Sequence, residues 1–509
     1  MQTVSNREEE VARVNEEIEQ GLELIGSTAI EDKLQDGVPD TIRFIREAGI
    51  KVWVLTGDKV ETAINIGYSS GLIDNNMVQY LVIASEEREI LDQLNEALLS
   101  IRGILGVQKS ALVVSGDSML KIFANKPLRE KFVSVGERVN VVLACRVSPK
   151  QKADIVQCMR DRFPAKTTLS IGDGANDVNM ITTAHVGVGI SGLEGQQAAR
   201  SADFVIGQFK FLKPLLFIHG REAYRRNAYL VCYNFYKNIL FVLPQYWFGF
   251  YSAFSGQQLY EPVLYQMYNI FFTSVPIMWF AIFDFQFDKQ EFLKNSKLYE
   301  IGLKSKCYGT KVFWQWFSLG ALQACVLLYI CLYAEEVSLK PDGSVANLWP
   351  SGVLIYTGVV LIANFKIQLA FNNVNIFGVI LVILSALLFV LFVLAESASS
   401  LKLWQMIGVF PQVFGDPISY FALAFLLLFV YAFDVVAGYF GDIIDQREAK
   451  KESVHVVTFE ADYTPIEDAR MDYPYEEKHT GYAFSEENHA NPNLQAQVRK
   501  VTTKRLSQS

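Results

Sequence analysis

The chain has 509 residues, of which 51% are hydrophobic, and its formal net charge is −8. This length exceeds what a single hydrophobic core fills, so we expect several domains. The negative charge, without a basic stripe that includes aromatics, gives no support for nucleic-acid binding. Hydropathy divides the chain into a soluble domain over residues 1–220, a membrane domain over 221–445 and a polar tail over 446–509.

The soluble region contains short β-rich runs that alternate with helical segments. Continuous apolar strands between helices are typical of a parallel sheet that helices cover on both faces, which is an α/β fold. We predict strands over 51–55, 111–114, 141–144, 167–171, 186–190 and 204–206. In such a sheet, ligands bind just beyond the carboxyl ends of the strands.

Polar residues follow three of these predicted strands. Thr56, Gly57 and Asp58 follow the first, Arg146 follows the third, and the stretch 172–177, GDGAND, follows the fourth. A hydroxyl, carboxylates, cations and exposed amides at one sheet edge are the groups that phosphate and Mg²⁺ require. A Thr-Gly-Asp turn is often purely structural, and so is an isolated lysine, whereas GDGAND directly after an apolar strand is rarely so.

These motifs, in this order, resemble the phosphorylation domain of the P-type ATPases, which has a haloacid-dehalogenase-like fold. The resemblance rests on four segments, 36–41 (DGVPDT), 56–59 (TGDK), 146–152 (RVSPKQK) and 172–178 (GDGANDV). It implies ATP as substrate, Mg²⁺ as cofactor, catalytic roles for Thr56 and Lys152, and Mg²⁺ ligation by Asp173 and Asp177. It also implies a set of ATP-binding residues, namely Thr56, Gly57, Asp58, Arg146, Lys152, Asn176 and Asp177.

Parts that this family needs for turnover do not occur in the sequence. The family's nucleophile is the aspartate of DKTGT, and neither DKTGT nor a TGE or DGET loop is found. The chain opens without a signal peptide, on an acidic helical stretch with no strand before it, which predicts a truncated start at Met1. Because covalent phosphoryl transfer needs the aspartate, we predict that this chain alone is inactive. An in-frame DKTGT and DGET upstream of Met1 would restore the pump.

Six apolar segments beyond the soluble region are long enough to cross the roughly 30 Å hydrocarbon core of a bilayer, which predicts an all-α six-helix transmembrane domain. They lie at 229–253, 263–284, 311–334, 351–370, 374–395 and 417–440. Basic residues flank the first segment and crowd the loop after the second. Basic loops stay cytosolic, so we predict a multi-pass protein of the plasma membrane or endomembrane with a cytosolic soluble domain and tail.

The predicted spans also indicate the cargo. A hard cation exchanges its water for carboxylate and amide oxygens, yet the interiors of the first, third and fifth spans contain no Asp or Glu. This disfavours a cation-transporting P-type ATPase. The first span carries Lys237, and a lysine near a bilayer centre costs about 3 kcal/mol, so it is usually functional. The alternative is that its ammonium group extends to the cytosolic interface.

Residues around Lys237 are similar to the phospholipid-flipping branch of the family. Tyr236-Lys237-Asn238 resembles a motif associated with head-group passage, and Asn364 in the fourth span is a candidate contact on the same lipid path. A helix–helix hydrogen bond is an equally good role for Asn364. The resemblance implies ATP-dependent phospholipid translocation from the outer to the cytosolic leaflet, with an accessory membrane glycoprotein as partner. The rivals are a cation-transporting P-type ATPase and a non-catalytic half-pump scaffold.

The tail over 446–509 is rich in charged and amide residues without apolar periodicity, which predicts disorder. Residues 481–485, GYAFS, resemble a segment of the autoinhibitory tail of flippases. That resemblance implies regulatory roles for Tyr482 and Phe484. The alternative is a solvated tail with two stray aromatics.

Overall fold

A computed structural model describes residues 7–21, 23, 25–26, 34–103, 109–192, 196–337, 347–373, 375–398 and 406–461. The chain forms two compact units, Met1–Ile444 and Asp445–Ser509. The described part of the second unit belongs to a long helix, Pro417–Ala461, which continues past residue 446, where the tail is predicted to begin. Tyr482 and Phe484 lie outside the described residues.

The described residues of the first unit contain seven strands. They are β1 (Val52–Leu55), β2 (Val78–Val82), β3 (Ser110–Ser115), β4 (Val141–Cys145), β5 (Leu169–Gly172), β6 (Val186–Ile190) and β7 (Phe204–Ile206). Every strand pair is parallel, which confirms the predicted parallel α/β arrangement. β2 is not among the predicted strands, because Gln79 interrupts its short apolar run and the strand lies at a sheet edge.

The strands form two sheets, so the prediction of a single sheet is wrong. The first sheet has the order β1-β4-β3-β2 and the second the order β5-β6-β7. An apolar run predicts a strand but not the partner of each edge, and β1 and β5 are not hydrogen-bonded to each other. Val52 of β1 and Ile171 of β5 nevertheless pack on one apolar cluster around the buried Phe44 and Phe217. The two sheets therefore share an apolar cluster, although they share no strand-pair hydrogen bonds.

Helices cover both faces of the first sheet. The helices of the soluble region are α1 (Arg7–Ile18), α2 (Val38–Glu47), α3 (Val60–Ser69), α4 (Glu87–Gly103), α5 (Gly116–Ala124), α6 (Lys126–Arg138), α7 (Pro149–Arg162), α8 (Val178–Thr183), α9 (Gln197–Ser201) and α10 (Leu212–Pro214). Alternate residues of β3 join two different apolar clusters, Ala111 and Val113 on one face and Leu112 and Val114 on the other. Both faces are thus buried, as expected for continuous apolar strands.

A second set of helices follows the soluble region. They are α11 (Arg221–Tyr251), α12 (Pro262–Met267), α13 (Ser274–Phe283), α14 (Lys289–Lys294), α15 (Glu300–Leu303), α16 (Thr310–Val337), α17 (Leu348–Ala370), α18 (Ile376–Ser397), α19 (Val409–Phe414) and α20 (Pro417–Ala461). A π-helical turn, Leu215–Gly220, joins α10 to α11.

Five helical segments in the described part of the chain are long and apolar enough to cross a membrane. They are Pro262–Phe283, Thr310–Glu336, Leu348–Ala370, Ile376–Ser397 and Pro417–Tyr439. These segments coincide with the second to sixth predicted spans. The helix over the first predicted span, α11, is 31 residues long but is not among the five. Its tyrosines, its asparagines and Lys237 make it more polar than the others.

The second predicted span is broken near its middle. A π-helical turn, Tyr268–Phe272, and the non-helical Thr273 separate α12 from α13. We call residues 268–273 the span break. Asn364 of α17 and Ser385 of α18 both donate hydrogen bonds to the carbonyl of Phe272. Side chains of neighbouring helices thus satisfy a backbone group that the break frees, as a hydrocarbon environment requires.

Candidate phosphate site and span break

The loop after β1 is tied to the loop after β4. The backbone N–H of Thr56 donates to the carbonyl of Ala144 at 2.8 Å, and the N–H of Arg146 donates to the carbonyl of Asp58 at 3.0 Å. Within the loop, Thr56 Oγ1 donates to Asp58 Oδ2 at 2.7 Å and accepts from the Asp58 N–H at 3.1 Å. The structure therefore brings the consecutive residues Thr56, Gly57 and Asp58 next to Arg146, which lies far from them in the sequence.

Arg146 adopts a left-handed backbone conformation, with φ of 52°. Such a conformation is unfavourable for a residue with a side chain, and strain of this kind is concentrated at functional sites. A Cβ atom on Gly116 would collide with the carbonyl of Arg146, so this close approach requires glycine at position 116. The Arg146 side chain itself is exposed at the mouth of the site.

The start of α7 places Lys152 beside Asp177. Ser148 caps this helix through a reciprocal pair of hydrogen bonds with Gln151, which fixes the first turn. Lys152 is buried, and its Nζ lies 2.7 Å from Asp177 Oδ1. Gly172, at the end of β5, allows this arrangement, because a Cβ there would lie 2.6 Å from Asp177 Oδ2. Two motifs from different strand ends therefore meet in one ion pair.

The remaining predicted residues of the GDGAND stretch face solvent. Asp173 and Asn176 are exposed, whereas Asp177 is half-buried. No cluster of three or more His, Cys, Asp or Glu side chains suitable for a metal occurs among the described residues. Mg²⁺ is usually held by one or two carboxylates together with substrate phosphate and water. Asp173 and Asp177 fit that donor set.

The thiol of Cys145 lies at the end of β4, immediately before Arg146, and is fully buried. Burial, with a smaller contribution from the charge of Asp58, raises the pKa of Cys145 to about 11. The thiol is therefore neutral at physiological pH and contributes packing rather than charge to the site. A cavity of about 90 Å³ adjoins Thr56 and Asp58, which is too small for a nucleotide.

All three residues of the predicted lipid path contact the span break. Lys237 Nζ donates to Thr273 Oγ1 at 3.0 Å, and the Lys237 side chain is almost fully buried. Asn238 Oδ1 accepts from Asn269 Nδ2 at 3.2 Å. Asn364 Nδ2 donates to the carbonyls of Phe272 and Val360, both at 3.0 Å. Asn364 therefore makes the helix–helix hydrogen bond that the sequence left as an alternative role.

A buried charge cluster, which the sequence does not predict as a unit, lies at the start of α11. It consists of Arg221, Glu222, Arg225 and Asp284. The Glu222 carboxylate accepts a hydrogen bond from Arg221 and another, at 2.8 Å, from Arg225. The same Arg225 nitrogen lies 2.8 Å from Asp284 Oδ2. The spacing of Glu222 and Arg225, three residues apart on a helix, is a sequence signal for such a pair. The contribution of Asp284 depends on packing between helices.

The second half of the chain matches a known protein family. Residues 199–446 match the family model of the phospholipid-translocating P-type ATPase C-terminal region. Phospholipid-transporting ATPase DRS2 of Saccharomyces cerevisiae is 39% identical over 470 residues, which cover 89% of this chain and 34% of the relative. Phospholipid-transporting ATPase ID of Homo sapiens is 35% identical and covers 73% of this chain and 33% of the relative.

A plant relative has similar coverage. Phospholipid-transporting ATPase 1 of Arabidopsis thaliana is 39% identical over 344 residues, which are 68% of this chain and 30% of the relative. The chain thus spans about a third of the length of the curated relatives it matches. By its sequence, this chain belongs to the phospholipid-transporting P-type ATPase family and corresponds to the C-terminal part of its members.

Proposed function

We propose that this chain is the C-terminal part of an ATP-driven phospholipid translocase that carries lipid from the outer to the cytosolic leaflet of the plasma membrane or an endomembrane. The soluble region would be a haloacid-dehalogenase-like phosphorylation domain, and α11 would be the first of six spans. The tail would be regulatory, with Tyr482 and Phe484 as contact residues. An accessory membrane glycoprotein would be the partner subunit.

The observation that carries this proposal is that one compact unit contains two buried lysines, each at a separate candidate site. Lys152 lies with Asp177 beyond the ends of parallel strands, where phosphate groups bind. Lys237 lies at the span break, where its ammonium group donates a hydrogen bond to the Thr273 hydroxyl and lies near the ring of Tyr268. The first lysine suits the transferred phosphoryl group of ATP, and the second suits an anionic lipid head group.

In the phosphate site, the chain's own residues would bind and orient the phosphoryl group. Lys152 and Arg146 would neutralise its oxygens, and the Thr56 hydroxyl would donate a hydrogen bond to it. Asp177 would hold the Lys152 ammonium group in place before the phosphate arrives. Mg²⁺, held by Asp173 and Asp177, would neutralise further charge on the phosphate when bound.

The nucleotide itself would extend over the exposed rim of the site. Gly57, Asp58 and Asn176 are solvent-exposed and would contact ATP there. The sequence supplies no DKTGT aspartate, so the chain alone should take no acid-stable, hydroxylamine-labile label from radioactive ATP with Mg²⁺. Detection of such a label would contradict this part of the proposal.

The predicted orientation has support from the loop between the second and third spans. The ring of Tyr299 in this loop lies 4.7 Å from that of Phe217 in the π-helical turn before α11. Arg221 Nε also donates to the carbonyl of Leu298 at 2.8 Å. These contacts support our proposal that the lysine-rich loop and the soluble region lie on one side of the membrane, which we expect to be the cytosolic side because basic loops stay cytosolic.

Photo-crosslinking tests the lipid part of the proposal. The purified chain is placed in nanodiscs that contain a phospholipid with a photoreactive group near its head, and labelled peptides are mapped. We expect labelling of α11 around Lys237 and of the span break, with a loss of severalfold or more in Lys237→Met. Lys121→Met, an exposed lysine of the soluble region, is the matched control. Equal labelling of all three proteins would contradict a lipid path at this position.

Two rival functions predict different results. A cation-transporting P-type ATPase would bind radioactive Na⁺ or Ca²⁺ in the same nanodiscs, with no lipid labelling that depends on Lys237. A non-catalytic scaffold would bind a partner subunit equally well with and without Lys152. The shortage of carboxylates inside the spans continues to disfavour the first rival.

A further inference from the structure

Four helices of the membrane region meet at a buried polar network. Lys366 Nζ of α17 lies 2.6 Å from Asp434 Oδ2 of α20. The other oxygen, Asp434 Oδ1, accepts from Gln323 Nε2 of α16 at 3.1 Å. Tyr236 of α11 in turn donates its hydroxyl hydrogen to Gln323 Oε1. Both oxygens of the carboxylate are therefore occupied.

Aromatic rings complete the surroundings of the Lys366 ammonium group. Its nitrogen lies 5.2 Å from the ring centroid of Tyr236 and 5.3 Å from that of Trp316. The faces of such rings attract cations, most strongly where water is excluded. The side chains of Lys366 and Asp434 are only 9% and 16% exposed. A carboxylate and the faces of two rings thus surround a single positive charge.

A carboxylate in this position needs a positive partner. Acidic side chains within membrane spans are rare and are paired almost without exception. Removal of one member of a buried pair leaves an uncompensated charge, whereas replacement of both members is often tolerated. Lys366 thus occupies the position that a free inorganic cation would take beside Asp434.

We propose that Asp434, Gln323, Tyr236 and Trp316 form a monovalent-cation site that Lys366 fills with its own ammonium group. Because this cation is covalently part of α17, it neutralises Asp434 without being transported. The site rests on the geometry alone. Only its consequence, that lipid transport requires no free cation at Asp434, rests on the proposed function.

Chemical rescue tests this site without ATP or lipid transport. Lys366→Ala removes the ammonium group and leaves space for a small cation. We expect its thermal unfolding midpoint, measured for the whole chain in nanodiscs with N-methylglucamine chloride, to fall by about 5 °C or more. Methylammonium or K⁺ at equal ionic strength should restore much of that loss. Wild type and the double variant Lys366→Ala/Asp434→Asn should not respond to these cations.

Other results of the rescue experiment also decide for or against the proposed site. Failure of methylammonium and K⁺ to raise the midpoint of Lys366→Ala overturns the proposal, as does an equal rise in all three proteins. If Lys366→Ala does not fold, the double variant decides. A folded double variant supports the proposal, since the unpaired carboxylate is then the cause. An unfolded double variant overturns it, since the lysine is then needed for packing alone.

Discussion

Gly172 lies at the end of β5, directly beside the side chain of Asp177. A Cβ atom at this position would lie within 2.6 Å of Asp177 Oδ2, so the ion pair with Lys152 depends on the absence of a side chain. A Cβ atom on Gly174, two residues later, would have the backbone nitrogen of Asn176 as its nearest contact, at 3.9 Å, and the φ of −99° there suits any residue. A substitution at Gly174 is therefore a control for the same substitution at Gly172.

We predict that Gly172→Ala lowers the free energy of unfolding by about 1–3 kcal/mol, since it forces Asp177 out of its position. Gly174→Ala should change that free energy by less than about 0.5 kcal/mol. Thermal unfolding of the purified whole chain measures both effects. Equal destabilisation by the two substitutions would show that the contact between Gly172 and Asp177 does not organise the site.

The buried thiol of Cys145 gives a prediction of pH dependence. Its pKa is raised from 9.0 to about 11, first by burial and then by the charge of Asp58. The neutral thiol therefore contributes stability that is complete below pH 9 and is lost as pH rises towards 11. Mass spectrometry measures the extent of Cys145 modification by N-ethylmaleimide. We expect negligible modification at about pH 8 and a steep increase in its rate above about pH 10. Rapid modification of Cys145 at the lower pH would contradict its placement in the core.

At this scale, the sequence predicts some contacts and leaves others undetermined. Thr56 and Arg146 each follow a predicted parallel strand, so the approach of their two loops follows from the rule for carboxyl ends. The pairing of Lys366 with Asp434 does not follow from any periodicity, because it depends on how two helices rotate against each other. For this reason Asp434 reads in the sequence only as a carboxylate near a span end.

At the scale of elements, the buried charge cluster joins three parts of the fold. Asp284 is the C-cap residue of α13. Its carboxylate accepts a hydrogen bond from Arg225 at the start of α11. It also accepts hydrogen bonds from the backbone N–H groups of Asn372 and Asn373, at 3.0 and 3.2 Å. Asp284 therefore holds α11, α13 and the turn between α17 and α18 together. We expect motion at the base of the soluble region to reach these helices as a unit.

We predict that Asp284→Ala destabilises the chain by about 3–5 kcal/mol, because it leaves Arg225 partly uncompensated and frees two backbone donors. Glu137→Gln, which breaks an exposed pair with Lys166, should cost less than about 1 kcal/mol. Hydrogen exchange at Asn372 and Asn373 should accelerate only in Asp284→Ala. Unchanged exchange at these two amides would rule out the bridging role of Asp284.

The sequence indicates the elements more reliably than it indicates their connections. Continuous apolar runs predict six of the seven described strands, and five long apolar segments match helices that can cross a membrane. Which strands pair, by contrast, depends on backbone hydrogen bonds that no side-chain pattern encodes, so the sequence does not predict the division into two sheets. The span break is equally hard to predict, since residues 268–273 (YNIFFT) contain neither proline nor glycine and lie within a longer apolar segment.

At the scale of the whole molecule, the candidate phosphate site and the proposed lipid path occupy one compact unit. Ile171, near the end of β5, packs on the apolar cluster that contains Phe217 of the π-helical turn. The turn runs directly into α11, which carries Lys237. A change in the phosphate site can therefore reach the span break through one continuous helical segment. This continuity is the structural basis for the proposed coupling of ATP hydrolysis to lipid movement.

The most direct test of this coupling is ATP-dependent movement of a fluorescent phospholipid in vesicles that contain the complete pump with this chain as its C-terminal part. We predict that the pump moves lipid from the outer leaflet, that Lys152→Met abolishes both hydrolysis and movement, and that Lys237→Met abolishes movement together with lipid-stimulated hydrolysis. Lys121→Met should behave as wild type. Lipid movement that persists in Lys152→Met, or ATP-dependent cation uptake in place of lipid movement, would contradict the account.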